Sequence, residues 1–265
     1  MTKISNNVVM ITGASSGIGE ALAYELAAKG ARLILSARRK EELERVKGNC
    51  ANQENIRILS LDLSDSFAIG QKAKEAESLF GQVDILINCG GISQRDKVIN
   101  TQLEVDRKIM EVNYFGTIAL TKALLPGMVN RKFGHQVVIT SATGIISTPL
   151  RSSYAASKHA LHGFYDALRA EHHDDGLRVS IILPGYVRTQ ISLNALMGDG
   201  SQQNKMDDAQ DQGLSPEACA KKIIQAIEKN KEEVYIGGVK EVAGIYLKRF
   251  LPRLFSKVIR KAAVT

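Results

Sequence analysis

Seven short apolar, largely β-branched runs punctuate the chain at Asn7–Thr12, Ala31–Ser36, Ile56–Leu61, Val83–Asn88, Gln136–Ser141, Leu177–Leu183 and Glu233–Ile236. Most are continuous rather than alternating, as expected of parallel strands covered on both faces. Helical patterns fill the intervals at Gly19–Lys29, Glu41–Lys47, Ser66–Phe80, Leu103–Asn130, Ser152–His172 and Pro216–Asn230. Strand and helix in alternation predict right-handed βαβ units, hence a single α/β domain on a doubly wound, seven-stranded parallel sheet. The length of 265 residues is enough for one large core, and 44% hydrophobic with 24% charged side chains excludes a disordered or fibrous chain.

No second compositional regime, repeat or linker interrupts residues 1–238, which read as one domain ahead of a tail at 239–265. Residues 198–213 (GDGSQQNKMDDAQDQG) are polar with no apolar period, a stretch long enough to be either a lid over a site or a disordered surface loop. Met1–Asn7 is short and polar ahead of Val8, which reads as no secretory leader, and no run of about 18 apolar residues marks a spanning helix. Cys50, Cys89 and Cys219 are scattered and odd in number, pointing to a reducing compartment and a cytoplasmic location.

The first strand runs directly into Thr12-Gly13-Ala14-Ser15-Ser16-Gly17-Ile18-Gly19 and then a helix. Glycines there let the backbone turn tightly and approach a pyrophosphate, whose charge is met by the helix N-terminus. A plain strand–helix turn is the alternative. At the end of the second strand, an NAD site offers an acid for the ribose 2′-hydroxyl. This chain has Ser36-Ala37-Arg38-Arg39-Lys40 instead. Bases at a helix start oppose its dipole, and a 2′-phosphate would offset that cost, so NADP(H) is the expected cofactor over a merely solvated basic turn.

Of seven tyrosines only Tyr154 has a lysine four residues on, Lys158, which a helix places on the same face. An ammonium beside a phenol favours its phenolate. Together the glycine motif, Asn88-Cys89-Gly90-Gly91, Asn113, Ser141, Tyr154, Lys158 and Pro184-Gly185 resemble the short-chain dehydrogenase/reductase family, in its order and with its 13-residue Ser–Tyr interval. The resemblance spans about residues 5 to 238 and implies a Rossmann-like sheet and a hydride-transferring oxidoreductase. It implies Tyr154 as proton donor or acceptor and Lys158 as holder of the nicotinamide ribose. Ser141 would orient the substrate oxygen, and Asn113 would hold a water linking Lys158 to solvent. For the cofactor it implies the motif residues Gly13, Ser15, Ser16, Gly17, Ile18 and Gly19, with Ser36, Arg38 and Arg39 at the 2′-phosphate. Asp62 and Leu63 fall at the adenine, Asn88 and Gly90 follow the fourth strand, and Pro184, Gly185, Val187 and Thr189 reach the nicotinamide end. The family's usual Asn-Asn-Ala-Gly is here Asn-Cys-Gly-Gly, which changes the side chains available to hold that turn. Family members commonly pair through the helices here at Leu103–Asn130 and Ser152–His172, implying a homodimer or homotetramer.

Ile145–Pro149, Tyr186, Leu193, Leu196 and Met197 would border the substrate, with Arg151 and Arg188 as bases nearby. Their apolar balance suggests a hydrophobic carbonyl or alcohol of steroid, retinoid or acyl-lipid type. The histidines His159, His162, His172 and His173 lack partners at zinc spacing, so no metal is expected. Residues 240–265 hold seven bases and one acid, out of a net +7 for the chain. Residues 239–265 read as a basic amphipathic helix with Leu254, Phe255, Val258 and Ile259 opposite Arg253, Lys257, Arg260 and Lys261. Such a helix either touches a membrane surface or packs on the body or a partner subunit, and it resembles tails of a membrane-associated branch of the family acting on lipid-like substrates. The near-neutral remainder offers no groove for nucleic acid. A catalytically silent NADP(H) sensor or membrane-docked scaffold is the competing function.

Overall fold

The computed structural model describes residues 1–260, the side chains of Val239 and Lys240 excepted, so Lys261 of the basic tail lies outside the described residues. Seven strands, β1 (Val8–Thr12), β2 (Arg32–Ala37), β3 (Ile56–Ser60), β4 (Ile85–Asn88), β5 (Gly134–Ile139), β6 (Leu177–Pro184) and β7 (Glu233–Ile236), form one sheet. Every pairing is parallel and the order is β3-β2-β1-β4-β5-β6-β7, so the direction of winding reverses between β1 and β4. The helices are α1 (Gly17–Ala28), α2 (Lys40–Gly48), α3 (Ser66–Phe80), α4 (Leu103–Met110), α5 (Gly116–Asn130), α6 (Ser152–Glu171), α7 (Asp208–Asp211), α8 (Pro216–Glu228), α9 (Val239–Phe250) and α10 (Pro252–Ile259).

The continuous apolar strands divide their side chains between two cores. Val9, Ile11, Leu33, Leu35, Ile85 and Ile87 face one layer with α1, α2 and α8. Val8, Met10, Ile34, Leu86 and Val138 face the other with α3, α5 and α6. The period of two is present, but both phases are apolar because both faces are covered. Local chemistry fixes several ends: Asp65 caps α3 by accepting from the Ala68 N–H, and Ser215 caps α8 ahead of Pro216.

Three expectations shift. The regular strand in the apolar run at Val83 begins at Ile85, while Asp84 just before it donates its N–H to the Val8 carbonyl at 2.9 Å and accepts the Val8 N–H on its carboxylate at 2.8 Å. Strand β5 ends at Ile139, leaving Ser141 to cap a short turn at Ala142–Gly144. The helix expected over Leu103–Asn130 carries a wider π turn at Glu111–Phe115 between α4 and α5, with Asn113 at its centre. Such one-turn bulges recur at functional positions because they re-aim a side chain without ending the helix.

The tail also differs from a single helix. Pro252 disfavours helical backbone at Leu251, whose φ and ψ are −130° and 61°, and the chain restarts as α10. Ile245 is buried and Phe255 half-buried, both against Ala142 and Ile146, so part of the apolar face packs on the body. Tyr246, Phe250, Leu251, Leu254 and Val258 stay exposed. No described helix is long and apolar enough to cross a membrane.

Candidate active site

A cavity of about 620 Å³ opens over the C-terminal ends of the strands, where the winding reverses between β1 and β4. This is where an open parallel sheet offers backbone and helix N-termini to a ligand. Its floor is the turn after β1. Gly13 has φ +67°, and a Cβ on it would lie 2.8 Å from the Gly90 Cα. A Cβ on Gly19 would sit 2.2 Å from the Gly13 carbonyl oxygen, so only glycine lets α1 start this close to the turn.

The altered turn after β4 is held by a residue of β1. Thr12 Oγ1 accepts the Cys89 and Gly90 N–H groups at 3.1 and 3.0 Å. Gly90 also yields to a neighbour, since a Cβ there would come within 2.7 Å of Leu63 Cδ1. Cys89 is half-buried on the cavity wall, and desolvation, opposed by the Lys158 ammonium, pushes its thiol up to about 12.

Nearly all the residues singled out for the cofactor line this cavity: Gly13, Ser15, Ser16, Gly17, Ile18, Gly19, Ser36, Arg38, Arg39, Asp62, Leu63, Gly90, Pro184, Gly185, Val187 and Thr189. Asn88 does not. It lies behind the wall, donating through Nδ2 to Tyr165 Oη at 2.9 Å and Thr121 Oγ1 at 3.2 Å. The residues present suit a dinucleotide. Ser36 Oγ is buried on the wall at the end of β2 with no hydrogen-bond partner among the described residues, and Arg38 and Arg39 follow it on the same wall, ahead of Glu41 and Glu42 in the first turn of α2. An unpaired buried hydroxyl is costly unless a ligand completes it.

Ser141, Tyr154 and Lys158 share the wall next to the glycine turn. Tyr154 and Lys158 face the same way from α6, with Lys158 Nζ 5.8 Å from the Tyr154 ring centre. Lys158 Nζ donates to the Ile139 carbonyl oxygen at 2.9 Å, so the last residue of β5 fixes the amine. Burial lowers its pKa to about 8. Burial raises that of Tyr154, opposed first by the Arg151 guanidinium, then by Arg95, then by the Ser141 hydroxyl. The cations favouring the phenolate are thus Arg151 and Arg95, where the helical spacing alone predicts Lys158.

Asn113 is fully buried and off the cavity wall. Its Oδ1 accepts the Ile92 N–H at 2.8 Å, while Nδ2 donates to the Ile92 carbonyl at 2.9 Å and to Ser157 Oγ at 3.0 Å. The π turn therefore ties the strand-end loop to α6 beside Lys158. A Cβ on Gly91 would lie 3.1 Å from Asn113 Oδ1 and 3.7 Å from Lys158 Nζ, so the glycine keeps the space between them open.

On the substrate side, Ile146, Thr148, Arg151, Tyr186 and Leu196 line the cavity, but Ile145, Ser147, Pro149, Leu193 and Met197 do not. Arg188 instead lines a neighbouring hollow with Arg39 and Arg45. The polar stretch after β6 is anchored: Gln210 Nε2 donates to the Val187 carbonyl, and the Gly198 carbonyl accepts from the Gln102 N–H at 2.9 Å. Sequence reasoning missed Arg95, Thr143 and Gln210, which line the wall from segments without periodicity. The histidines have local partners: His159 contacts the Ala155 and Ile145 carbonyls, and His162 meets Thr140 Oγ1. Among the described residues no group of three or more His, Cys, Asp or Glu side chains converges.

A glycine-floored cavity at the reversal point of a parallel sheet defines a nucleotide-binding protein of Rossmann type. The model of the short chain dehydrogenase family matches residues 7–197. A dehydrogenase/reductase SDR family protein 7-like of Drosophila melanogaster is 44% identical, the match covering 99% of this chain and 82% of that protein. An SDR family member 7B of Danio rerio is 43% identical over 98% of this chain and 86% of its own. A short-chain dehydrogenase from Streptomyces avermitilis superposes with a TM-score of 0.84 at 30% identity, over 99% of this chain and 100% of that one. An alcohol dehydrogenase of the archaeon Thermococcus sibiricus, complexed with 5-hydroxy-NADP, does so at 0.74 and 26% identity, over 89% and 97%. The chain belongs to the short-chain dehydrogenase/reductase family of oxidoreductases.

Proposed function

We propose that the chain is an NADP(H)-dependent oxidoreductase interconverting a carbonyl and an alcohol on an apolar small molecule. The observation that carries this reading is the convergence of Ser141, Tyr154 and Lys158 on one wall of the glycine-floored cavity. A bound nicotinamide supplies or accepts the hydride, chemistry that no side chain provides. Gly13–Gly19 would hold the pyrophosphate, Asp62 and Leu63 the adenine end, and Ser36, Arg38 and Arg39 the 2′-phosphate. Ser141 orients the substrate oxygen by hydrogen bonding. Tyr154 gives that oxygen a proton in reduction and takes one in oxidation. Lys158, fixed by the Ile139 carbonyl, holds the ribose side and supports the tyrosine's ionisation. Asn113 acts indirectly, by fixing Ile92 and Ser157 around the amine.

Ile92, Val112, Ile146, Ile191 and Leu196 on the wall support an apolar substrate body. Residues 198–213 serve as its lid, anchored at Gln102 and Val187. The exposed Tyr246, Phe250, Leu251, Leu254 and Val258, beside Arg249, Arg253, Lys257 and Arg260, support peripheral contact with an anionic membrane. Half-exposed Phe115, the last residue of the π turn, supports subunit pairing through the α4–α5 segment and α6. The free thiols Cys50, Cys89 and Cys219 support a reducing, cytoplasmic setting.

A panel of apolar ketones, aldehydes and alcohols, followed by nicotinamide absorbance with NADPH and NADH, tests the activity. Turnover of at least one class with an NADPH preference is expected. NADPH binding without turnover of any member would favour the sensor reading. Sedimentation with anionic vesicles, weakened by salt and lost when residues after Leu251 are removed, tests the tail.

A further inference from the structure

Tyr154 is the third residue of α6, and charged or polar groups face it from each element around it. Lys158 is one turn on in the same helix, and Arg151 stands at its start. Ser141 comes from the turn after β5, Cys89 from the turn after β4, and Arg95 from the stretch beyond it. Glu241 of α9 lines the same cavity.

Arg95 and Arg151 are almost wholly buried, at 3% and 5% exposure, yet both reach the cavity wall. They grip one oxygen. Arg95 donates to Asp207 Oδ2 through Nε at 2.9 Å and Nη2 at 2.8 Å, and Arg151 through Nη2 at 3.1 Å. Asp207 arrives from the polar stretch after β6, is fully buried, and accepts from Gln203 Nε2 at 2.9 Å on its other oxygen. Arg95 is locked further by Nη1, which donates to Ser93 Oγ at 2.6 Å and the Gln94 carbonyl at 2.8 Å. The residue before Arg151, Leu150, has φ +63°, a conformation a leucine keeps only when its surroundings enforce it. That strain delivers a guanidinium to the N-terminus of α6, against the helix dipole.

Two buried guanidiniums sharing a carboxylate favour negative charge beside them. The phenol of Tyr154, in the first turn of the helix that Arg151 heads, lines the same cavity as both guanidiniums, which oppose the rise that burial imposes on its pKa. We propose that Arg95, Arg151 and Asp207 form a charge brace for Tyr154, in which Arg95 is a positioning residue favouring the phenolate and Asp207 moderates it from the substrate-side loop. The proposal rests on Tyr154 being the proton carrier.

The test counts charges. Tyrosinate ultraviolet absorbance of the cofactor-free chain is titrated with pH, and the same titration with Tyr154→Phe added isolates the Tyr154 signal. Arg95→Gln should move the Tyr154 midpoint up by about one pH unit, and Asp207→Asn down by about as much. The double variant Arg95→Gln/Asp207→Asn removes one charge of each sign and should return to within a few tenths of a unit of the parent. The pH limb of kcat/KM should move the same way in each variant. Shifts of one sign in both single variants, or a double variant farther from the parent than either, would overturn the brace and leave these residues a purely structural role. If Asp207→Asn does not fold, Arg95→Lys should hold the parent midpoint while Arg95→Gln shifts it; equal midpoints would overturn the proposal. Because the titration needs neither cofactor nor substrate, its failure is separable from failure of the oxidoreductase assignment.

Discussion

At the N-terminal ends of the strands, His135 on β5 is buried between Thr2 Oγ1 at 3.1 Å and Ser180 Oγ at 2.9 Å, so both ring nitrogens have a fixed partner. At the C-terminal ends, Lys158 is equally buried but has a carbonyl on one side and a cavity on the other. Burial lowers the pKa of both, to about 3 for His135 and about 8 for Lys158. The same desolvation thus gives a closed, neutral structural group at one end and an amine poised near neutrality at the other. What differs is whether the polar neighbours saturate the group or leave part of it for a ligand.

The largest effect expected from this contrast is in the acid stability of the closed end. Below pH 6.5 the unfolded chain takes up a proton that folded His135 refuses, so stability should fall as pH drops from 6.5 towards 3, by up to on the order of 5 kcal/mol. His135→Gln should flatten that dependence in denaturant melts across the range while leaving turnover at neutral pH within a few fold.

Lys158 should follow the same sign in a higher pH window. Between pH 8 and 10.5 the unfolded chain keeps a proton that folded Lys158 releases, so stability rises with pH in that window. Lys158→Met should remove this rise and raise stability at pH 7 by up to about 3 kcal/mol, read as a higher thermal midpoint, while activity is lost. A destabilised Lys158→Met would mean that the Ile139 contact outweighs the burial cost.

A smaller effect sharpens the ligand side of the comparison. Arg38→Asp should shift the ratio of the NADPH and NADH specificity constants by roughly 10- to 100-fold towards NADH, the loss of a charge-assisted hydrogen bond or two. An unchanged ratio would mean that Arg38 does not read a 2′-phosphate.

The parts legible from sequence were those whose chemistry is local. Gly13–Gly19 follow β1 directly, and Tyr154 and Lys158 share a helical face, so spacing alone brought them together. Contacts across long stretches of chain left no pattern. Arg95 and Asp207 are 112 residues apart, and nothing in either neighbourhood marks them as partners. The π turn around Asn113 was hidden because one extra residue in a turn barely disturbs the helical period. Asn88 looked like a cofactor contact because it belongs to the motif, yet its amide is used inside the core by Tyr165 and Thr121. The break at Leu251 was foreshadowed by Pro252, but the packing of Ile245 and Phe255 on Ala142 and Ile146 depends on the tertiary fold.

The most direct measurement is turnover of Tyr154→Phe beside its NADPH affinity. The account predicts kcat reduced by about 100- to 10,000-fold, the scale of a lost general acid, with the NADPH Kd within about threefold of the parent. A variant that turns over within a few fold of the parent would contradict it.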